Sequence, residues 1–387
     1  MKRSTERILT THAGSLPRPL DLQALIRAQQ YGQPYDQNAL SERVQEAVAE
    51  VVRQQTEAGV DIISDGEQGK TGFLLYGNQR LTGFELVPPK PGESGRAPRR
   101  DQLAFPDFYE EYWKTEGDGG PRRQPVCTGP ITYQGQAAVQ RDIENFKLAL
   151  SRVQVEEAFI PAIAPGTFGR GQNQFYPSEE EFLFAIATAM KEEYQTIINA
   201  GFVLQIDDPG LPDTWDMQVP ALSIEEYRKF AALRVEALNY ALAGLPEEMV
   251  RYHICWGSWH GPHTTDIPLR HIVDLVLQVR AGAYSIEAAN PRHEHEWQVW
   301  EDTKLPDGKV LIPGVIAHTT NTVEHPELVA WRIINFANLV GRENVIAGRD
   351  CGFSQRALNP RLHPSIVWAK LRSLAEGAKL ASKQLWR

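Results

Sequence analysis

Two side chains that bind soft metals stand two positions apart in Tyr252-His253-Ile254-Cys255-Trp256. On an extended strand such positions share a face, so the His253 imidazole and the Cys255 thiol point the same way. Further along, Tyr284-Ser285-Ile286-Glu287-Ala288 places a carboxylate on a second apolar run, and Gly348-Arg349-Asp350-Cys351-Gly352 places another thiol at the end of a third. One imidazole, two thiolates and one carboxylate can form a tetrahedral zinc sphere, since thiolates select zinc over magnesium or calcium. Ligands drawn from distant strand ends, rather than from close Cys-x-x-Cys pairs, read as a catalytic site in which Glu287 is the ligand a substrate atom can replace. The competing reading is that the cysteines merely fill space, and spacing by itself does not separate the two.

Other segments supply acidic and polar groups. Ser64-Asp65-Gly66-Glu67 and Gln205-Ile206-Asp207-Asp208-Pro209 each end an apolar run in carboxylates. Such groups can hold an ammonium, fix a cation or exchange protons, or else cap a helix or pair with loop arginines. In Thr11-His12-Ala13-Gly14-Ser15-Leu16-Pro17-Arg18, small residues permit close backbone approach, and His12 and Ser15 either face a ligand or cap a turn. His263 and Tyr133 are candidate proton donors, although each reads more readily as a loop or wall residue. Trp256, Trp259, Trp297 and Trp300 are expected to wall the site. His293 and His295 lie in a charged loop expected to be solvated, and Cys127 reads as an inert buried thiol.

These groups need a scaffold that brings several strand ends together. Apolar runs at Ile8–Ser15, Asp61–Glu67, Val126–Thr132, Ala158–Pro165, Phe202–Pro209, Val250–Trp256, Tyr284–Asn290, Val310–His318 and Asn344–Gly352 predict strands. Helical spacing predicts helices at Ser41–Ala58, Ser178–Ala200, Ile224–Ala243, Ile267–Arg280 and Pro326–Leu339. This alternation implies parallel pairing through right-handed crossovers. No glycine-rich nucleotide fingerprint follows a strand, so the expectation is an α/β fold, a single (β/α)8 TIM barrel over residues 1–387, with its active groups at the carboxyl ends of the strands. Nine runs are one too many for that ring, and the amino-terminal run is the first suspect for lying outside. Residues 87–125, rich in proline, glycine and arginine, form a long insertion expected to act as a lid or an oligomer contact.

Composition narrows the function. The 387 residues carry 49 acidic and 40 basic side chains, a net charge of −9. No apolar run approaches the roughly 20 residues of a membrane span, and no basic stripe suits nucleic acid or an anionic membrane. A small-molecule substrate is therefore expected. Three cysteines form no disulfide framework, and the start at Met1 lacks the apolar core of a signal peptide, which points to the cytoplasm.

Taken together, His-Ala-Gly-Ser-Leu-Pro-Arg-Pro from His12, Asp-Gly-Glu from Asp65, Gln-Ile-Asp-Asp-Pro from Gln205, His-Ile-Cys from His253, Ile-Glu-Ala from Ile286 and Asp-Cys-Gly-Phe from Asp350 resemble the catalytic barrel of cobalamin-independent methionine synthase. The resemblance runs in order from about residue 8 to 355. It implies zinc held by His253, Cys255, Glu287 and Cys351, and contacts from Ser15, Glu67 and Asp207 to an amino-acid substrate, with Glu67 and Asp207 on the ammonium of homocysteine. It also implies a reaction in which zinc lowers the pKa of a substrate thiol, and the thiolate attacks an alkyl carbon of a donor. Family members with a second, amino-terminal barrel use it to help bind polyglutamyl folate. This chain is closer in length and motif style to short single-barrel relatives, which include zinc-dependent epoxyalkane:coenzyme M transferases. Methyl transfer to homocysteine or a similar thiol is thus the leading expectation and epoxide opening its alternative. A metal-free barrel lyase and a non-catalytic zinc-binding protein are remoter ones.

Overall fold

The computed structural model describes residues 1–88, 98–115, 124–354, 356–358 and 361–387. Eleven strands are β1 (Leu9–Thr10), β2 (Ile62–Ile63), β3 (Phe84–Val87), β4 (Gln124–Cys127), β5 (Glu157–Ile163), β6 (Gln172–Asn173), β7 (Val203–Asp207), β8 (Val250–Ile254), β9 (Ala283–Ile286), β10 (Val310–Pro313) and β11 (Ile346–Ala347). The fold is mixed α/β with a parallel half-barrel sheet in the order β10-β9-β8-β7-β5-β2. β1 pairs in parallel with β11. Parallel bridges also join Thr11 to Ile62, Leu311 to Val345 and Gly314 to Gly348.

The strands are buried on both faces, as a parallel sheet requires. One face carries an apolar cluster of Leu9, Ile62, Phe159, Val203, Ala283, Val310, Ile312 and Ile346. The other face, through Leu204, Ile206, Tyr252, Ile254, Tyr284 and Ile286, joins the large core shared with the helices. Period-two alternation then stacks polar residues over the apolar floor: Val203 is followed on its face by Gln205 and Asp207, and Ala283 by Ser285 and Glu287. The same column reads Arg251 and His253 on β8 and Cys255 just past its end. A register slip of one residue would send these ligands into the helix layer.

Several expectations need correcting. The amino-terminal run does not lie outside the parallel strands, since β1 joins β11 and Thr11 bridges to β2. The run from Val126 lies outside instead, because it pairs antiparallel with β3 across the insertion, and β6 completes a separate three-stranded sheet. The span Ile267–Arg280 is not one helix. Pro268 stands before a tight turn at Leu269–His271 and only Val273–Val276 is α-helical. Helices at Leu20–Gln30, Gln136–Leu150 and Pro364–Leu385 are additional to those expected.

Of the insertion, residues 89–97 and 116–123 lie outside the described residues. The helices Arg100–Ala104 and Pro106–Thr115 pack onto the loops that follow β7 and β8. Arg99 donates to Asp213 at 2.6 and 3.1 Å and to Asp216 at 3.2 Å. The Asp101 carboxylate accepts from the Tyr109 hydroxyl at 2.7 Å and from the backbone amides of His263 and Thr264 at 3.1 and 3.0 Å. Trp259 donates to the Tyr109 hydroxyl at 2.8 Å. Among the described residues no helix is long and apolar enough to cross a membrane.

Candidate metal centre and adjoining pocket

His253, Cys255 and Cys351 converge, with one ligand atom of each within 4.8 Å of the others. All three are buried, and the two sulfurs are 2.9 Å apart. His253 Nδ1 meets the Ser285 hydroxyl at 3.1 Å, which orients the ring, while its Nε2 is buried with no hydrogen-bond partner. An imidazole held through one nitrogen with the other left open is how a ligating histidine is prepared. The two thiols behave as one acid. The hydrogen bond from Cys255 pulls Cys351 well below the usual thiol range, and the same contact pushes Cys255 well above it. One proton shared between two buried sulfurs is what a divalent ion would displace.

Glu287, the fourth expected ligand, falls into an adjoining cluster with His318 and Asp350. Its carboxylate accepts from the Trp256 amide at 2.9 Å and from the Asn290 side chain. Burial, then the Asp350 charge, pushes the Glu287 carboxyl up to about 8. Asp350 accepts from the amides of Ala288 and Ala289 at 2.9 and 2.8 Å, which ties the turn after Glu287 to the residue preceding Cys351. His318 lies 4.0 Å from Glu287, and both of its ring nitrogens are buried without a hydrogen-bond partner. Burial holds this imidazole down to about 3. Sequence reasoning passed over His318; the available signal was its place as the last residue of the Val310–His318 run.

Glu67 and Asp207 are both buried, and the Glu67 charge raises the proton affinity of Asp207 while the Cys351 charge raises that of Glu67. Burial is the larger cause for both, against opposing help from Lys70. Gln205 donates to Asp207 at 2.6 Å, whereas Glu67 Oε2 has no hydrogen-bond partner. Glu67 has a φ of 56°, a strained conformation for a residue with a side chain. Ser15 joins this region to the Cys351 loop, its hydroxyl accepting from the Ser354 amide at 3.3 Å and its carbonyl from Phe353 at 3.1 Å.

Gly14 shows why small residues precede Ser15. Its φ is +110°, and a Cβ there would stand 2.7 Å from Pro161 Cγ and 2.9 Å from Glu67 Oε1. Gly14→Ala is expected to cost about 1–3 kcal/mol of stability and to displace Glu67. Denaturant unfolding checks this, and an unchanged midpoint would count against it.

The two expected proton donors are committed elsewhere. His263 uses Nδ1 on Asp266 and Nε2 on the Trp259 carbonyl, both at 3.0 Å. The Tyr133 hydroxyl donates to Glu193 at 2.7 Å, beside Arg80. Nor is the charged loop solvated throughout. His295 is exposed, but His293 is buried, stacked on Trp256 at 3.9 Å and held between Asp266 and Glu296 at 3.0 and 2.8 Å. Those carboxylates outweigh burial and lift its imidazole to about 10. Trp256, Trp259 and Trp300 are buried in walls, and Cys127 sits buried in the small sheet, donating to the Gly129 carbonyl at 3.4 Å.

The sequence matches the family described as Cobalamin-independent synthase, Catalytic domain, over residues 8–89 and 167–364. It is 25% identical to methionine synthase of Saccharolobus solfataricus, covering 98% of this chain and 96% of that protein. It is 26% identical to methionine synthase of Sulfolobus acidocaldarius, covering 97% and 93%. The fold resembles a B12-independent methionine synthase from Shewanella sp. W3-18-1 in complex with selenomethionine, with a TM-score of 0.73 at 22% identity over 98% of this chain and 99% of that one. A putative vitamin-B12 independent methionine synthase from Listeria monocytogenes aligns with a TM-score of 0.66 at 18% identity over 96% and 98%. The chain belongs to the catalytic-domain family of the cobalamin-independent synthases.

Proposed function

We propose that this protein is a zinc-dependent alkyltransferase acting on a small thiol, transferring a methyl group to homocysteine or a similar amino-acid thiol. The observation that carries the proposal is the convergence of His253, Cys255 and Cys351, with His253 Nε2 left open, beside the buried carboxylates Glu67 and Asp207. Two thiolates and an imidazole suit zinc rather than a hard cation. When bound, zinc supplies a Lewis acid that makes a thiol acidic enough to lose its proton at neutral pH.

The remaining work falls to the chain's own side chains. His253, Cys255 and Cys351 would hold the ion, and Glu287 would be the replaceable ligand. Glu67 and Asp207 would take the substrate ammonium, which relieves two carboxylates whose charge burial disfavours. Ser15 would fix the edge of the same pocket. His318, a neutral imidazole with two open ring nitrogens, is better placed to hydrogen-bond the leaving group than His263 or Tyr133, whose polar atoms are engaged. In this reading the bridges from Thr11 to Ile62 and from Leu311 to Val345 complete a single (β/α)8 barrel over residues 1–387. The insertion 87–125 serves as its lid, as the contacts of Arg99 and Asp101 with the β7 and β8 loops favour.

The test is metal analysis of the purified protein, then titration with homocysteine and with coenzyme M followed by X-ray absorption. Stoichiometric zinc that gains a sulfur ligand from homocysteine is the expected result. A gain from coenzyme M only would move the assignment to epoxide opening. Absence of zinc, or zinc indifferent to both thiols, would overturn it.

A further inference from the structure

Two arginines point into the interior above the apolar floor; both have a buried Nε without a hydrogen-bond partner, and they differ at the terminal nitrogens. Arg251 donates through both terminal nitrogens, Nη1 to the Thr11 hydroxyl at 2.9 Å and Nη2 to the His12 carbonyl at 2.6 Å. Arg349 is 1% exposed, yet it donates only through Nη2, to the Ser15 carbonyl at 3.2 Å, and its Nε and Nη1 are buried with no hydrogen-bond partner. Its plane lies over the Phe353 ring at 3.7 Å, which fixes where the open edge of the fork faces. Its charge neighbours are Cys351, Glu67, Asp350 and Asp207.

The arrangement is incomplete as it stands. Glu67 Oε2 lacks a partner just as Arg349 Nε and Nη1 do, although each group feels the charge of the other. An interior carboxylate and an interior guanidinium ordinarily close on each other, because leaving either unpaired is costly. Here no hydrogen bond joins them. A ligand that offers donors to Glu67 and acceptors to Arg349 would satisfy both ends at once, and an α-amino acid carries those groups on one carbon. A simple sulfonate thiol would satisfy Arg349 and leave Glu67 and Asp207 facing nothing.

We propose that Arg349 is the anion-binding residue of the substrate pocket, holding the carboxylate of an α-amino-acid thiol whose ammonium is held by Glu67 and Asp207. This rests on the thiol-alkyltransferase reading for the sulfur end of the ligand, but not for the charged end. The planar fork of arginine matches a carboxylate through two parallel N–H donors, a geometry lysine lacks.

The test is calorimetric binding to the zinc-loaded protein of four probes: L-homocysteine, 3-aminopropane-1-thiol, which lacks the carboxylate, 4-sulfanylbutanoate, which lacks the ammonium, and thiol-free L-norleucine. Arg349→Met is expected to weaken homocysteine and 4-sulfanylbutanoate on the order of 10–100-fold, the range for loss of a charge-assisted hydrogen bond. 3-Aminopropane-1-thiol should change by less than about threefold, since it never met the guanidinium. Arg349→Lys, which keeps the charge without the fork, should fall between wild type and Arg349→Met. Equal weakening of all thiols, or none, would overturn the proposal, as would a wild-type protein that binds no carboxylate-bearing probe. If norleucine binds as well as homocysteine, the thiol reading fails while the effect of Arg349→Met on norleucine still decides the anion site. Should neither variant fold by its melting curve, wild-type preference decides: about tenfold or more for homocysteine over 3-aminopropane-1-thiol supports the proposal, and no preference overturns it.

Discussion

Cys351→Ala is expected to yield a folded protein that has lost its zinc and its alkyl-transfer activity together. Residues that only orient a ligand cost roughly 10–100-fold in metal affinity when removed, and deleting a ligand should cost more. Cys255→Ala should behave alike, because the two sulfurs share one site at 2.9 Å and one proton between them. The informative control is Cys127→Ala. That thiol is also buried, but it lies in the small sheet and faces the Gly129 carbonyl, so its variant should keep a full complement of zinc. Metal analysis per chain after desalting, alongside a melting curve, reads all three. Full zinc in either Cys255→Ala or Cys351→Ala would break the ligand assignment.

Glu67→Gln is expected to weaken homocysteine at least about 10-fold while leaving a thiol without an ammonium nearly unchanged. The substitution keeps the shape of the side chain, so the strained φ of 56° and the contact with Gly14 are retained. What changes is the charge. The unpartnered Oε2 can become an amide nitrogen that presents hydrogens to a cation, and Asp207 loses the neighbour that raises its proton affinity. The loss should therefore appear in KM for homocysteine rather than in the acidity of the metal-bound thiol. Comparing homocysteine with 4-sulfanylbutanoate separates the two, and equal effects on both would remove the case for an ammonium site. 4-Sulfanylbutanoate should weaken with Arg349→Met and not with Glu67→Gln, and 3-aminopropane-1-thiol the reverse, so the charged ends of the pocket can be mapped independently.

Local patterns carried much of this site. The His-x-Cys spacing of His253 and Cys255 placed both on one face because strand periodicity is a property of the backbone, independent of what lies around it. The same rule put Glu287 and Asp207 in their columns, and the small residues before Ser15 signalled the close approach that Gly14 makes. Where pairing decided the outcome, the sequence was ambiguous. The runs at Ile8 and Val126 are both short and apolar, and only the partners available in space, β11 for one and β3 for the other, sorted them. The proline at 268 was visible, but its power to dissolve most of an expected helix depended on how tightly Leu269–His271 had to turn.

Residue identity and spacing by themselves determined which groups can bind a soft metal, which strand faces they occupy and to which family the chain is similar. The tertiary structure decided which polar atoms are left without partners. His263 and Tyr133 look like acids in the sequence, and Asp266 and Glu193 engage them. His318 and Arg349 look ordinary there, and the fold buries them with nitrogens open beside Glu287 and Glu67. Hydrogen-bond satisfaction is a property of three-dimensional neighbours that lie up to 381 residues apart, as between Trp386 and Thr5. No local pattern encodes it, because it depends on which groups the fold brings within reach.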